Sequence, residues 1–176
     1  LLLLLVSCTK IELNAQASFS FETFEGSQLP LVLINTLDTI VDEPRVIAAM
    51  KIIHQEGGGM NHPYDDPTDY NGRISIEIRG NTSQSFPKRS FALETQDSLG
   101  NNNNVSLLGM PEENDWVLYG PYSDKTMMRN AIMYELGDRI DRYTVRRRYC
   151  ELFINENYRG VYLFMESVKR DENRID

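Results

Sequence analysis

The chain has 176 residues, of which 41% are hydrophobic and 25% charged, and its formal net charge is −8. This length is sufficient for one domain with a hydrophobic core. The negative charge argues against general nucleic-acid binding, which requires a basic surface, so we expect no nucleic-acid partner. The one basic cluster, the arginines at 146–148, is more typical of a solvated strand edge or an anion contact.

The first eight residues resemble the end of a bacterial lipoprotein signal peptide. An apolar run at 1–6 is followed by Ser7 and Cys8. The run is too short to span a bilayer, and neither an initiating Met nor a basic region precedes it. We therefore expect residues 1–8 to be a truncated signal peptide whose Cys8 carries lipid. The protein would then be exported and lipid-anchored in the cell envelope, with the lipid as its only membrane contact.

Residues 9–28 are polar and lack periodicity, which favours a tether between the lipid and a domain at 29–176. If Cys8 carries lipid, Cys150 has no pairing partner, and no internal disulfide is expected. A Cys8–Cys150 disulfide is the alternative, and it would join the terminal segment to a strand.

Most of the remaining sequence predicts short strands separated by turns. The clearest is 73–79, where Ile74, Ile76 and Ile78 alternate with polar residues. A glycine-containing loop at 155–160 predicts a hairpin between the last two strands. The predicted strands are 29–36, 45–53, 73–79, 87–94, 116–119, 149–154 and 161–165, of which 45–53 would also suit a helix.

The loop at 55–72 contains His62 and several aspartates, a composition that could suggest a metal site. The spacing matches neither a zinc motif nor the calcium loop with its required glycine and terminal glutamate. We interpret it as a solvated acidic loop and predict no metal ligand there.

One helix is predicted after the strand at 116–119. Gly120 and Pro121 end that strand, and Ser123 and Asp124 offer N-cap oxygens to the following amides. Apolar residues then recur at steps of three and four, which predicts a stripe packed on the sheet. The stripe consists of Met128, Ala131, Ile132, Leu136 and Ile140.

Six sequence runs, in one consistent order, are more specific than the strand pattern. They are RGNTSQSFPKRSF at 79–91, LLGMP at 107–111, DWVL at 115–118, YSDKTMMRN at 122–130, NENYRGVY at 155–162 and ESVKRDENRI at 166–175. Together they resemble the CotH family of spore-coat-type atypical protein kinases, over about residues 29–176. The resemblance implies the N-terminal part of the family's domain. The implied fold is an α+β kinase-like small lobe, an incomplete domain with a mainly antiparallel sheet and one principal crossing helix.

The resemblance also implies ATP-dependent phosphoryl transfer to Ser or Thr of a protein substrate, with Mg²⁺ or another divalent metal at the phosphates. Lys88 matches a strand lysine that grips phosphates, and Arg79 could add a second cation. Asp124 or Arg129 would orient this cluster. Glu166 would lie at the edge of the nucleotide, where a kinase-like fold has its linker.

The acids that hold metal and act on the substrate hydroxyl belong, by the same resemblance, downstream of Asp176. No catalytic residue is therefore assigned, and residues 1–176 alone are expected to be inactive. A pseudokinase is one alternative. The other is a surface adhesion or glycan-binding module with aromatic platforms, although Trp116 lies in an apolar run typical of a core. The platform candidates are Tyr64, Tyr70, Trp116, Tyr119 and Tyr122.

Overall fold

A computed structural model describes residues 20–170 and Arg174. These residues form nine strands and one α-helix, with short 3₁₀ turns at Phe21–Thr23 and Thr82–Ser85. The strands are β1 Leu31–Asn35, β2 Val46–Ile53, β3 Tyr70–Arg79, β4 Ser90–Gln96, β5 Val105–Leu107, β6 Met110–Glu113, β7 Asp115–Tyr119, β8 Arg147–Ile154 and β9 Asn157–Glu166. The helix, α1, is Arg129–Arg139.

Seven of these strands close into a barrel in the order β1-β2-β3-β4-β7-β9-β8. Neighbouring strands are antiparallel except β1 and β8, which pair in parallel with Leu31 opposite Glu151 and complete the ring. β5 and β6 form a separate two-stranded sheet. Closure leaves the barrel strands without an unpaired edge, which protects them from edge-to-edge association.

The barrel interior follows the alternation predicted from the sequence. Ile74 and Ile76 are fully buried, and Ile78 is almost so, which confirms the strand at 73–79. Trp116 is buried and stacks on Phe164 of the neighbouring strand β9, with ring centroids 5.5 Å apart. Trp116 is therefore a core residue, as its apolar neighbours indicated, and it offers no platform to a glycan.

The predicted α+β kinase-like small lobe was wrong. The described residues form a closed barrel with one eleven-residue helix outside it, not an open sheet crossed by a principal helix. The local patterns predicted most strands correctly, but the fold class depends on the pairing of β1 with β8. These strands are more than 110 residues apart in sequence, and no local pattern encodes that pairing.

Most of the predicted apolar stripe of the helix does not pack on the barrel, and Ala131 is the member that does. Ile132, Leu136 and Ile140 are 46–69% exposed. The helix instead contacts the outside of β7 and β9 through Ala131 and Tyr134. It begins at Arg129, five residues after the predicted N-cap, because residues 121–127 form turns.

Residues 20–28, which the sequence assigned to the tether, contact the barrel. Phe21 and Phe24 pack edge-on against Phe153, with centroid distances of 5.1 and 5.0 Å. The predicted signal peptide, Cys8 and the rest of the tether lie outside the described residues. Within 20–170, no helix has the length and apolar character needed to cross a membrane.

Candidate functional site

The loop between β3 and β4, residues 80–89, borders a cavity of about 340 Å³ that we call the outer cavity. Its wall is formed by the end of β3, the loop, β7, the first turns of α1 and the linker that follows β9. The lining residues are Arg79, Gly80, Ser83, Ser90, Val117, Tyr119, Asn130, Tyr134, Met165, Glu166, Ser167 and Val168. The outer cavity therefore contains residues from four of the six runs that resemble the CotH family.

The conformation of this loop requires glycine at position 80. Gly80 has a φ of +110°, and a Cβ there would lie 2.0 Å from the Ser83 hydroxyl oxygen. The Gln84 side-chain amide donates a hydrogen bond of 2.5 Å to the Gly80 carbonyl. The loop is thus folded tightly back on itself beside the cavity, in a backbone region that L-residues avoid.

Besides the Glu166 carboxylate, the polar groups of the outer cavity are a cation, hydroxyls and an amide. Arg79 is exposed and forms no ion pair with any described residue. Burial is the main cause that raises the pKa of Tyr119, and a hydrogen bond from the Asn130 side chain opposes it. Ser90 Oγ accepts the Gly120 amide at 3.0 Å. These groups suit a ligand that carries negative charge and hydrogen-bond acceptors.

Glu166 belongs to the cavity wall, but its carboxylate is committed to arginines. The side chain is fully buried, and its oxygens accept the Arg146 guanidinium and the Arg146 backbone amide, both at 2.8 Å. The Arg174 Nε lies 3.8 Å away. Because this carboxylate points to the two arginines, its direction does not support the predicted contact of Glu166 with the edge of a nucleotide.

A buried charge network holds the linker against the barrel. The Arg174 guanidinium donates to the Ser167 carbonyl at 2.6 Å and the Asp115 carbonyl at 3.0 Å, above the Trp116 ring. Lys169 Nζ lies 2.7 Å from Glu113 Oε2. Sequence reasoning missed Glu113 and Arg174, although Arg174 lies in the family-like run at 166–175.

Asp124 organises the start of α1. Its carboxylate accepts hydrogen bonds from the Thr126 amide, the Thr126 hydroxyl and the Arg129 amide. The Thr126 hydroxyl is the main cause that holds the pKa of Asp124 below its usual value. Arg129 Nε is 3.6 Å from the same carboxylate, but the Arg129 side chain is 76% exposed. The structure brings Asp124 and Arg129 together, next to the outer cavity through Asn130.

Lys88 lies at the end of the barrel and is not among the residues lining the outer cavity. Its ammonium is 4.5 Å from the centre of the Tyr162 ring and donates to the Arg159 carbonyl at 3.3 Å. Burial lowers the pKa of Lys88, and the negative charge of Glu151 opposes this effect. Lys88 precedes β4 instead of lying within the predicted strand, because turns continue from Thr82–Ser85 to Arg89. Lys88 therefore does not form one cluster with the other four candidates, Arg79, Asp124, Arg129 and Glu166.

Within the part of the chain that the structure describes, no group of three or more His, Cys, Asp or Glu side chains could hold a metal ion. In the predicted acidic loop, Asp65 instead accepts the His62 amide at 2.8 Å. Asp69 of the same loop accepts the Leu108 amide from a distant segment, at 3.0 Å.

Comparison with protein-family models identifies a family. The model described as CotH kinase protein matches residues 76–175, more than half of the chain, and its range includes the β3–β4 loop, α1 and the linker. No curated protein matches the chain significantly. The matched range agrees with the runs that resembled this family. The chain belongs to the CotH kinase family.

Proposed function

We propose that this protein is an ATP-dependent kinase that phosphorylates Ser or Thr of protein substrates, and that the outer cavity binds the nucleotide. One observation carries the site assignment: Arg79, a cation with no acidic partner among the described residues, lies in a cavity beside a glycine-dependent loop. Arginine suits phosphate because its paired donors match the phosphate oxygens. The membership in the CotH kinase family supports the reaction type.

The composition of the outer cavity fits a nucleotide. Its volume of about 340 Å³ falls within the range of small-molecule sites. Val117 and Met165 offer apolar surface for a base, and Ser83 and Asn130 offer polar partners for a sugar or phosphate. Bound ATP would supply the phosphoryl group, and the divalent metal proposed with it would neutralise phosphate charge. We assign no metal ligand among the described residues.

The other predicted residues have supporting roles in this proposal. Asp124 fixes the turn that precedes α1 and so positions Asn130, while Arg129 is available to an incoming phosphate. Glu166 holds the linker through its arginine partners. Lys88, within the β3–β4 loop, packs on Tyr162 of β9 and so holds the loop against the barrel.

The nucleotide assignment can be tested with a fluorescent ATP analogue and a matched pair of variants. Arg79→Met should weaken binding at least tenfold because it removes the unpaired cation of the cavity. Arg142→Met removes an exposed arginine outside the cavity and should change the affinity less than twofold. Equal affinities for the two variants would refute the outer cavity as the nucleotide site.

Phosphoryl transfer needs a separate assay, in which incorporation from labelled ATP into protein substrates is measured for the complete protein. Incorporation that falls with Arg79→Met supports a kinase. Nucleotide binding without any incorporation would instead identify a pseudokinase that keeps the proposed site.

We also propose that the protein is exported and anchored through lipid on Cys8, as the sequence at 1–8 indicates. Mass spectrometry of the mature N-terminus should then find a lipidated Cys8, and Cys8→Ala should release the protein from the membrane fraction. An unmodified Cys8 in the mature protein would contradict this proposal.

A further inference from the structure

A second cavity, of about 520 Å³, opens at the end of the barrel, and we call it the mouth cavity. Three connections meet there: residues 36–40 between β1 and β2, the β3–β4 loop, and the turn between β8 and β9. The β3–β4 loop lines both cavities, with Gly80 and Ser83 at the outer cavity and residues 85–87 and 89 at the mouth cavity. Converging loops on a rigid barrel are a common location for binding residues.

The rim of the mouth cavity is positively charged. Arg89 and Arg159 both line it, both are exposed, and neither forms an ion pair with a described residue. Lys88 is not a lining residue, but its ammonium lies 4.5 Å from the ring of Tyr162, which is one. Asp38 is the one acidic side chain in the lining. Because the whole chain carries −8, this positive charge is a local feature and not a consequence of composition.

The floor of the same cavity is apolar. Phe91 and Tyr162 lie side by side with centroids 6.3 Å apart, and Ile78 lies beside them in the lining. The Tyr162 hydroxyl donates to the Arg89 carbonyl at 2.9 Å, so its polar atom is satisfied within the protein. Tyr162 and Phe91 are themselves only 2% and 7% exposed, and the lining residues that offer exposed apolar surface to a ligand are Leu37 and Pro87.

These two properties restrict the chemistry of the occupant. A free inorganic anion would pair with the arginines and leave the apolar floor in water. A purely apolar ligand would cover the floor and desolvate unpaired guanidinium groups, which is costly. An extended peptide with alternating acidic and apolar side chains satisfies both the rim and the floor, because successive side chains of a strand point to opposite sides.

We propose that the mouth cavity docks an acidic and apolar segment of a protein partner, and that this partner is the substrate. The substrate identity rests on the proposed kinase function, whereas the preference for such a peptide rests on the cavity alone. The β3–β4 loop would then lie between the docked segment and the nucleotide.

The preference can be tested without nucleotide, by fluorescence anisotropy with a labelled nine-residue peptide of alternating glutamate and phenylalanine. The protein should bind it at least tenfold more tightly than the lysine and phenylalanine counterpart. The double variant Arg89→Glu, Arg159→Glu should lose at least tenfold in affinity. The double variant Lys125→Glu, Arg142→Glu changes net charge equally at exposed sites elsewhere, and it should lose less than twofold.

Several results would overturn the docking proposal. Equal losses in the two double variants would indicate general charge attraction instead of a site. Equal binding of the lysine peptide would remove the role of the rim. If inorganic phosphate or anionic lipid vesicles bind through Arg89 and Arg159 and the peptide does not bind, the ligand belongs to a different class. Peptide binding that persists when ATP does not bind would support docking and refute only the nucleotide proposal.

Discussion

The buried carboxylate of Glu166 provides a stability prediction that can be worked out from distances. It lies 2.8 Å from Arg146 Nη1 and 3.8 Å from Nε of Arg174, whose side chain is also fully buried. Glu166→Gln removes the negative charge and leaves Glu113, 3.9 Å away, as the nearest described acid to Arg174. Removing one partner of a buried ion pair costs about 3–5 kcal/mol. Because Arg146 is 44% exposed and can be hydrated, we expect the lower end of this range.

Urea unfolding at pH 7 measures this loss, and Glu135→Gln is the matched control. Glu135 also contacts two arginines, Arg139 at 3.1 Å and Arg147 at 3.2 Å, but its side chain is 53% exposed. Exposed ion pairs contribute about 0–1 kcal/mol, so this variant should remain near the wild type. If the free energy of unfolding falls equally in both variants, burial is not the source of the effect and the reasoning fails.

Three further predictions concern single side chains. Gly80→Ala should lower the free energy of unfolding by about 1–3 kcal/mol in urea titrations, because alanine is strained at positive φ and its Cβ meets Ser83. Asp124 has a depressed pKa, so its contribution to stability is present above its unfolded pKa of about 3.9 and is lost as the pH falls through the folded value. Acid unfolding followed by circular dichroism should therefore show a weaker pH dependence for Asp124→Ala, which also frees the Arg129 amide. Burial raises the pKa of the Cys150 thiol, so mass spectrometry should find Cys150 alkylated only after denaturation, and rapid native labelling would contradict its burial.

The strands were the most predictable part of the fold, because alternation along a strand is a local property. Ile74 and Ile76 marked one buried face, and both lie inside the barrel. The helix shows the limit of the same reasoning. Its apolar stripe predicted a packed face, yet Ile132 and Leu136 are exposed, and the contacts come from Ala131 and Tyr134. Periodicity indicates that a helix has an apolar face, but not which neighbour covers it.

The sequence runs that contribute to the candidate site could be predicted, but not which of their charged side chains lie together. Arg79 and Glu166 line one cavity, and the Glu166 carboxylate turns to Arg146 and Arg174, so their shared role at a nucleotide stays a prediction. Lys88 was predicted on a strand beside them, and it lies at the barrel end on Tyr162. Pro87 and the preceding 3₁₀ turn delay the start of β4, which leaves Lys88 in the loop, next to the Tyr162 ring and outside the lining of the outer cavity.

The family, most strand positions and the buried faces of the strands could be predicted from the sequence, since these follow from local order and side-chain chemistry. The tertiary structure was needed to show that the strands close into a barrel, that most of the apolar stripe of the helix is exposed, and that Arg79 and Glu166 line a cavity from which Lys88 is absent. The physical reason is that closure, packing partners and ion pairs join residues distant in sequence, as with Leu31 and Glu151 or Lys169 and Glu113. Their energies depend on burial, which a linear pattern does not specify.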